Sequence, residues 1–218
     1  MSQLSVTSLK HEGASGDNIT LSSNGNVGVG STAPSTNKLH IESAGATRAV
    51  VYNSSNAVGV RIQAETGSGL IQTDTNHPLR FATNNGAVQM QIDTAGRVTM
   101  PYQPAFCGIL VADASGVLVM TDMTLNNGSH YSTSNGKFTA PVAGMYHFIL
   151  ITLEQGSTGA VYIRKNGSNV GNHGWMGSTN AAGVVSAIVS LAVGDYVEAY
   201  GTVTCERNNT GFCGFLVG

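Results

Sequence analysis

Short alternating strands joined by small polar turns are the feature that most limits what this chain can fold into. Gly, Asn, Ser and Thr interrupt the sequence about every eight to twelve residues. Between these breaks the apolar residues occupy every second position, as in "KLHIES", "VGVRI" and "QMQID". No window carries a helical apolar stripe with capping residues. The pattern therefore predicts an all-β chain.

One hairpin recurs along the sequence. "ITLSSNGNVGV" (19–29) aligns with "MQIDTAGRVTM" (90–100), with the apolar positions and the turn glycine in register. "HYSTSNGKFTA" (130–140) repeats the turn chemistry with larger side chains. Glycine at such a turn supplies the positive φ that tight hairpins need.

Aromatic residues divide the chain into two unlike parts. Of its 14 Phe, Trp and Tyr residues, only Tyr52 and Phe81 precede residue 100. The two halves cannot contain similar cores, and we place a boundary near Met100-Pro101.

The first part poses a stability problem. Each strand offers two or three modest aliphatic side chains, worth about 1.5–3 kcal/mol apiece when fully buried. Ordering the backbone costs about 1–2 kcal/mol per residue. A single copy should not fold alone, whereas three chains wrapped about a common axis would cover each other's apolar faces and strand edges.

Two stretches of this part resemble a module of bacteriophage fibres. "SSNGNVGVGSTAPSTNKLHIES" (22–43) is similar to a G-N-V-G-[IV]-G-T-x-x-P-x-x-K-L-H-[IV] repeat of tail and other virion fibres, often those of cyanophages. "HPLRFATNNGAVQMQIDTAGRVTM" (77–100) resembles its companion segment. The resemblance implies a trimeric fibre.

The second part carries longer, more aromatic strands. "AVYIRKNGSNVG" (160–171) reads as a hairpin with Asn166-Gly167 at its tip. The number of strands predicts a sandwich or jelly roll. Aromatic residues spaced along these strands are the predicted core: Phe138, Tyr146, Phe148, Phe212 and Phe215.

These strands also resemble the complement C1q and tumour necrosis factor family. "FTAPVAGMY", "VYIRKNG", "LAVGDYV" and the terminal "GFCGFLVG" follow the family's order, and "PAFCGIL" stands where its first strand begins. The resemblance implies a ten-stranded jelly roll that trimerises and binds protein or glycan partners on loops and rims. Cys107 and Cys213 replace serines of the family pattern, which suggests two neighbouring buried thiols. The collagen-like stem of the complement proteins is missing.

Charge and cysteine content exclude several functions. With 10 basic and 12 acidic residues there is no basic stripe for nucleic acid. No apolar run is long enough to cross a membrane, and the first residues lack the apolar core of a secretory signal, so we expect assembly in a cytoplasm. Cys107, Cys205 and Cys213 are expected to be small, mostly buried thiols.

Trp175 is the best candidate for contact with a receptor. It lies in "NHGWMGST", which reads as a glycine-rich loop, and a lone loop tryptophan is either packed against its own domain or presented to a ligand such as a sugar ring. The predicted receptor-binding residues are Trp175, His173 and Met176.

Catalytic and metal sites are not indicated. The histidines fall on different strands and turns, no G-x-S-x-G elbow occurs, and the carboxylates form no glycosidase pair. Asp195 is expected to hydrogen-bond the backbone of its own turn, with calcium ligation as the alternative. We expect no enzyme activity, cofactor or metal.

Together these features predict a homotrimeric virion fibre. Residues 1–16 would dock on other virion proteins, 17–100 would form a β-hairpin-rich intertwined stalk, and 101–218 would form a C1q-like jelly-roll knob that meets a host-surface glycan or protein. Such a fibre would be assembled in the host cytoplasm and reside on the virion. The alternatives are a capsid- or neck-attached decoration fibre and a cellular C1q-like lectin or adhesin.

Overall fold

The computed structural model describes residues 7–10, 12–13, 18–31, 34, 37–84, 86–156, 158–178 and 180–218. Within these ranges the chain consists of strands and turns, which confirms the predicted all-β class. No described segment forms a helix long and apolar enough to span a membrane. The chain divides into two compact units, residues 1–100 (unit 1) and residues 101–218 (unit 2).

Unit 1 contains three small sheets. Strands β1 to β4 form the first sheet, in which β3 and β4 run parallel; β5 to β7 form the second, and β8 to β10 the third. The strands are β1 (Ser8–Leu9), β2 (Ile19–Leu21), β3 (Val27–Val29), β4 (Leu39–Ile41), β5 (Thr47–Asn53), β6 (Val58–Glu65), β7 (Ser68–Thr73), β8 (Leu79–Thr83), β9 (Ala87–Ile92) and β10 (Val98–Thr99).

The repeated hairpin has the same hydrogen bonds in both copies within unit 1. In the first, the Ser22 N–H donates to Asn26 O, the Gly25 N–H to Ser22 O and the Asn26 N–H to Ser22 Oγ. The second places Asp93, Gly96 and Arg97 in the same three roles. Gly25 and Gly96 have φ of 73° and 80°, where glycine is strongly favoured.

The turn at 130–140 differs from these two. The Gly136 N–H donates to Ser132 O, one residue further back along the chain, and Asn135 Oδ1 accepts the Lys137 N–H. The third stretch therefore shares the positive-φ glycine but not the hydrogen-bond pattern.

The sheet of β5, β6 and β7 has two unlike faces. Strand register brings four aliphatic residues onto one face, the unit 1 apolar face: Val51, Val60, Ile62 and Ile71. The opposite face is mixed. It carries an ion pair between Arg61 and Asp74 and a 2.8 Å hydrogen bond from Arg48 to Gln63, beside the exposed side chains of Val50 and Tyr52.

No hydrophobic side chain among the described residues of unit 1 is buried. On the unit 1 apolar face, Val51 is 82% exposed and Ile62 is 63% exposed. The buried side chains of this unit are polar: Asn26, Ser31 and Gln63. A single copy of unit 1 therefore has no hydrophobic core within the described residues.

Most of the predicted docking segment, residues 1–16, lies outside the described residues. Within it, Ser8–Leu9 forms β1, which pairs with β2 through Ser8–Thr20 and Leu9–Ile19. The docking role stays a prediction.

Unit 2 is a sandwich of two antiparallel sheets. Five strands form one sheet in the order β13-β11-β21-β16-β19, and six form the other, in the order β14-β15-β20-β17-β18 with β12 also pairing β20. The two-residue strand β14 brings the total to one more than the ten that the resemblance implies. The strands are β11 (Ala105–Ile109), β12 (Ala114–Val117), β13 (Asp122–Asn127), β14 (Tyr131–Ser132), β15 (Lys137–Thr139), β16 (Gly144–Leu153), β17 (Gly159–Lys165), β18 (Ser168–Met176), β19 (Ala182–Leu191), β20 (Tyr196–Cys205) and β21 (Gly211–Leu216).

Aromatic side chains from both sheets meet in the core of unit 2. The Phe106 ring packs 5.1 Å from the Phe138 ring and 5.1 Å from the Phe212 ring, and Tyr146 and Phe148 are fully buried. Four of the five predicted core aromatics are therefore confirmed.

The prediction that Phe215 lies in the core is wrong. Its side chain is 48% exposed. Successive side chains of a strand point to opposite faces, so two residues three positions apart, such as Phe212 and Phe215, cannot share one. Phe212 fills the core, and Phe215 lies on the outer side of the five-stranded sheet.

The cysteines also differ from the prediction. Cys107 of β11 and Cys213 of β21 are directly paired in register and form a disulfide, whereas two neighbouring thiols had been expected. Both lie on a partly exposed strand face. Cys205 is buried and free, as predicted, and burial raises the pKa of its thiol.

Candidate functional site

The outer face of the six-stranded sheet displays aromatic residues. Along β17, Val161 and Ile163 point into the core while Tyr162 and Arg164 point outward. Tyr200 of β20 is the direct register partner of Tyr162. This alternation is the reason why a strand that contributes aliphatic residues to the core also presents an aromatic ring outside.

Four aromatic side chains from three strands form a surface that we call the aromatic row: Tyr162, His173, Trp175 and Tyr200. The Tyr162 and His173 ring centres lie 5.6 Å apart, and the His173 and Trp175 rings meet edge to face at 6.4 Å. The Arg164 guanidinium lies over the Tyr200 ring, with its Cζ 4.3 Å from the ring centre. These contacts join rings that lie far apart in sequence into one surface.

Trp175 and His173 are exposed, whereas Tyr162 and Tyr200 are half-buried. The Trp175 side chain is 64% exposed, and its register partner on β17 is the small residue Ala160. Tryptophan is enriched at protein interfaces, where its ring is apolar and its N–H can find a partner. Of the alternatives for Trp175, packing against its own domain and presentation to solvent, the exposure favours presentation.

The predicted binding residues are only partly brought together. Trp175 and His173 both lie on the outer face, but on strand β18 and not in the predicted loop. Met176 is fully buried in the core of unit 2, since alternation along β18 turns it away from its neighbour Trp175. Met176 therefore cannot contact a receptor on this face. The receptor role of Trp175 and His173 stays a prediction.

Sequence reasoning missed Tyr162, Tyr200 and Arg164. The sequence did contain a signal for an outward-facing Tyr162. In "AVYIRK" (160–165), Tyr162 and Arg164 alternate with the aliphatic residues Val161 and Ile163. That alternation places Tyr162 on an outer face, but the adjacency of β17, β18 and β20 is needed to join it to Trp175 and Tyr200.

A second exposed surface lies on the outer side of the five-stranded sheet. It consists of aliphatic residues and one aromatic residue from four strands, and we call it the unit 2 apolar face: Leu125, Ile151, Val184, Ile188 and Phe215. Ile188 is 65% exposed. His147 lies on the same sheet, with its Nε2 2.8 Å from Ser186 Oγ and its ring 5.4 Å from that of Phe215. An apolar surface of this kind suits burial against another protein surface.

Asp195 fastens two turns of unit 2 to each other. Its carboxylate accepts hydrogen bonds from Lys165 Nζ at 2.8 Å, from Asn166 Nδ2 at 2.7 Å and from the Ala192 N–H at 2.9 Å. The Lys165 ammonium, then the Asn166 amide and the Ala192 N–H, lower the pKa of Asp195 to about 2. The predicted bond to its own turn is confirmed.

Among the described residues, no three His, Cys, Asp or Glu side chains gather in a group that could hold a metal ion. Asp195 itself has an ammonium and an amide as its side-chain partners.

Comparison with solved structures finds several proteins that are similar to part of this chain. The globular domain of zebrafish complement 1qA aligns with 53% of this chain and 98% of its own length, at 18% identity and a TM-score of 0.45. Murine APRIL at pH 5.0 aligns with 53% of this chain and 99% of its own, at 12% identity and a TM-score of 0.43. The sequence profile of the C1q domain matches residues 108–217, which is half of the chain. The match begins within β11 and contains every later strand of the sandwich. On this match, the chain belongs to the C1q domain family.

Proposed function

We propose that this chain is the subunit of a homotrimeric bacteriophage virion fibre that attaches the particle to its host. Residues 1–16 dock the fibre on other virion proteins, residues 17–100 form its stalk, and residues 101–218 form a knob that presents the binding surface. The chain acts by binding and has no catalytic role. Its place is on the virion.

The observation that carries this proposal is the exposed apolar face on a sheet of each unit. On the β5–β7 sheet, Val51 and Ile62 are more exposed than a protein interior allows. In unit 2, Ile188 and Phe215 are exposed on the five-stranded sheet. A stable chain with such faces covers them, and C1q domains commonly form homotrimers, so further copies of this chain are the natural cover.

The stalk assignment has separate support in unit 1. An apolar groove of about 260 Å³ continues the apolar face of β5 and β6 toward β4, with Leu39 and Ile41 on its far side. On the opposite face of the same sheet, Arg61 is paired with Asp74. The apolar face is therefore the one suited to an axis shared by copies. The resemblance of 22–43 and 77–100 to fibre modules points to the same assembly.

Trimerisation is tested with a charge on the unit 2 apolar face. Ile188→Lys puts an ammonium where the proposal buries an apolar side chain, so the mass measured by light scattering should fall from three chains toward one. Val193→Lys is the matched control, because Val193 is 68% exposed in the β19–β20 turn, outside this face. A wild-type protein of one-chain mass would overturn the proposal.

Attachment is tested with the labelled full-length protein. The trimer should adsorb to some members of a panel of bacteria that includes cyanobacteria, and three knobs per fibre should bind more strongly than one. Immunogold labelling of virions then locates the fibre. Label on the capsid or neck would favour the decoration fibre, and a chain that is absent from virions would favour the cellular adhesin.

A further inference from the structure

The polar groups of the aromatic row have no partners within the described chain. The Trp175 indole N–H, the His173 ring nitrogens and the Tyr162 and Tyr200 hydroxyls make no hydrogen bond to any described residue. Buried indole and phenol groups usually find a partner. On this face the groups are open to water and available to a ligand.

The chemistry of these side chains selects a class of ligand. Flat aromatic rings offer an apolar surface, and their unpaired donors and acceptors offer directed hydrogen bonds at the ring edges. A pyranose ring has the complementary design, with a C–H face that stacks on an aromatic ring and a rim of hydroxyls. The unit 2 apolar face lacks such edge groups on its aliphatic residues, so it suits a protein surface instead.

The charges of the face favour a neutral ligand. Arg164 lies 3.7 Å from the nearly buried carboxylate of Glu198, and its Nε donates to Gly167 O at 2.9 Å. Its guanidinium also stacks on Tyr200. Lys137 of β15 lies on the same face, with its Nζ 3.8 Å from the centre of the Tyr196 ring, which is not part of the row. The cation that contacts the row is therefore already engaged, whereas an anionic sugar would need a free cation beside Trp175.

We propose that the aromatic row binds a neutral hexose polysaccharide, with one pyranose ring stacked on Trp175. His173 and Tyr162 bond the hydroxyls of the stacked ring and of its neighbour along the row. Because the polysaccharide would be the host-surface ligand of the knob, this inference rests on the proposed function.

The single tryptophan of the chain makes the site directly observable. The full-length protein is titrated with maltohexaose, laminarihexaose, cellohexaose and mannohexaose, with polygalacturonate as the charged comparison. Emission of Trp175 and its quenching by acrylamide are recorded, and affinities are measured by calorimetry. At least one neutral oligosaccharide should bind and protect Trp175 from acrylamide, and polygalacturonate should bind at least about tenfold more weakly than the best of them.

Variants test whether sugar binding depends on the aromatic row and not on the rest of the surface. Trp175→Ala should weaken calorimetric binding about tenfold or more, while Trp175→Phe, which keeps a ring but loses the N–H, should retain part of it. Val193→Ala, in an equally exposed turn, should leave affinity unchanged. Near-ultraviolet circular dichroism and light scattering verify that each variant keeps its fold and mass. Lack of binding by all four neutral oligosaccharides, or full affinity in Trp175→Ala, would overturn the inference.

Adsorption to whole cells distinguishes this inference from the proposed function. If Trp175→Ala abolishes adsorption but periodate oxidation of the cell-surface sugars does not, the ligand is a protein; the polysaccharide is then excluded and attachment stands. If oligosaccharides bind at Trp175 but no cell in the panel adsorbs the protein, the sugar site stands and the attachment role fails. Loss of adsorption after both treatments supports both.

Discussion

The two units of this chain solve the problem of burying apolar surface in opposite ways. In unit 2, Phe106, Phe138 and Phe212 from two sheets meet in a closed core. In unit 1, every buried side chain among the described residues is polar, and the aliphatic residues lie on an open sheet face. Unit 2 thus has a closed core of its own, whereas the described residues of unit 1 have none, and in the proposed trimer the neighbouring copies would supply it.

The comparison teaches that hairpin chemistry and core formation are separable. Both units use turns with a positive-φ glycine, and unit 1 closes two of its hairpins with an identical hydrogen-bond pattern. Local structure is therefore equally well specified in both. What differs is the size of the side chains between the turns, and hence whether the sheets can cover their own apolar faces.

A lysine on the unit 1 apolar face should cause the largest loss of stability. Ile62→Lys would bring one ammonium per chain into a shared apolar interface, and an uncompensated buried charge costs about 3–5 kcal/mol per chain. Peptides of β5–β7 should then exchange their amide hydrogens about 10²–10⁴-fold faster, as measured by mass spectrometry. Peptides from the core of unit 2 should be unaffected.

The matched control for this change lies on the other face of the same sheet. Ser68→Lys adds the same charge beside Glu65, whose carboxylate the Ser68 hydroxyl contacts at 3.0 Å. Exchange in β5–β7 should stay at the wild-type rate. If Ile62→Lys behaves like this control, unit 1 is stable without covering that face, and the contrast between the units fails.

A cavity in unit 2 should have the next largest effect. Phe148→Ala removes a fully buried ring that packs against Phe106, Phe138 and Phe212, and such truncations cost about 3–5 kcal/mol. Denaturant unfolding followed by Trp175 emission should show this loss, since Trp175 lies in unit 2. The midpoint should shift in the same way at high and low protein concentration; a shift confined to low concentration would mean that unit 2 also depends on its neighbours for its core.

Sequence alone predicted the turn at Asn166-Gly167 and the contrast between the cores of the two units. The turn at Asn166-Gly167 joins β17 to β18, and both of its residues have positive φ, 49° and 81°. Four core aromatics were identified because alternation fixes which side chains share a face. The same rule, applied to Phe212 and Phe215 together, would have placed Phe215 outside the core.

Features that depend on strands far apart in sequence were not predicted. The family resemblance did suggest that Cys107 and Cys213 are neighbours, but the disulfide depends on the exact register of β11 against β21 across 106 residues. The aromatic row likewise requires β20 to lie beside β17. Met176 was misplaced because "NHGWMGST" was interpreted as a loop; once it is a strand, alternation buries Met176 and exposes Trp175.

Two turn carboxylates, one in each unit, should make a smaller contribution to stability that depends on pH. Hydrogen bonds from the Arg97 backbone and side chain lower the pKa of Asp93, and the Lys165 ammonium lowers that of Asp195 to about 2. A group with a depressed folded-state pKa stabilises above its unfolded value, near 3.8, and this contribution is lost as the pH falls toward its folded-state pKa.

Unit 2 should therefore lose stability between pH 4 and pH 2 more steeply than the Asp195→Asn variant does. Denaturant midpoints from Trp175 emission across this range measure the difference. Asp93→Asn should leave those midpoints unchanged, because Asp93 lies in unit 1. Equal slopes for wild type and Asp195→Asn would show that the contacts of Asp195 add nothing to the stability of unit 2.

Replacing a turn glycine should have the smallest effect on stability. One such glycine in each unit has nearly the same φ, so the same substitution can be compared between the units. Gly96 and Gly167 have φ of 80° and 81°, where an L-residue costs about 1–2 kcal/mol. Gly167→Ala should lower the unfolding free energy of unit 2 by that amount, as read from Trp175 emission. Gly96→Ala imposes the same strain on a sheet with no core of its own, so exchange of β9–β10 amides should rise and should fall again as protein concentration increases. Concentration-independent exchange in Gly96→Ala would mean that the hairpins of unit 1 hold their structure without neighbouring copies, and the distinction between the two units would reduce to the size of their side chains.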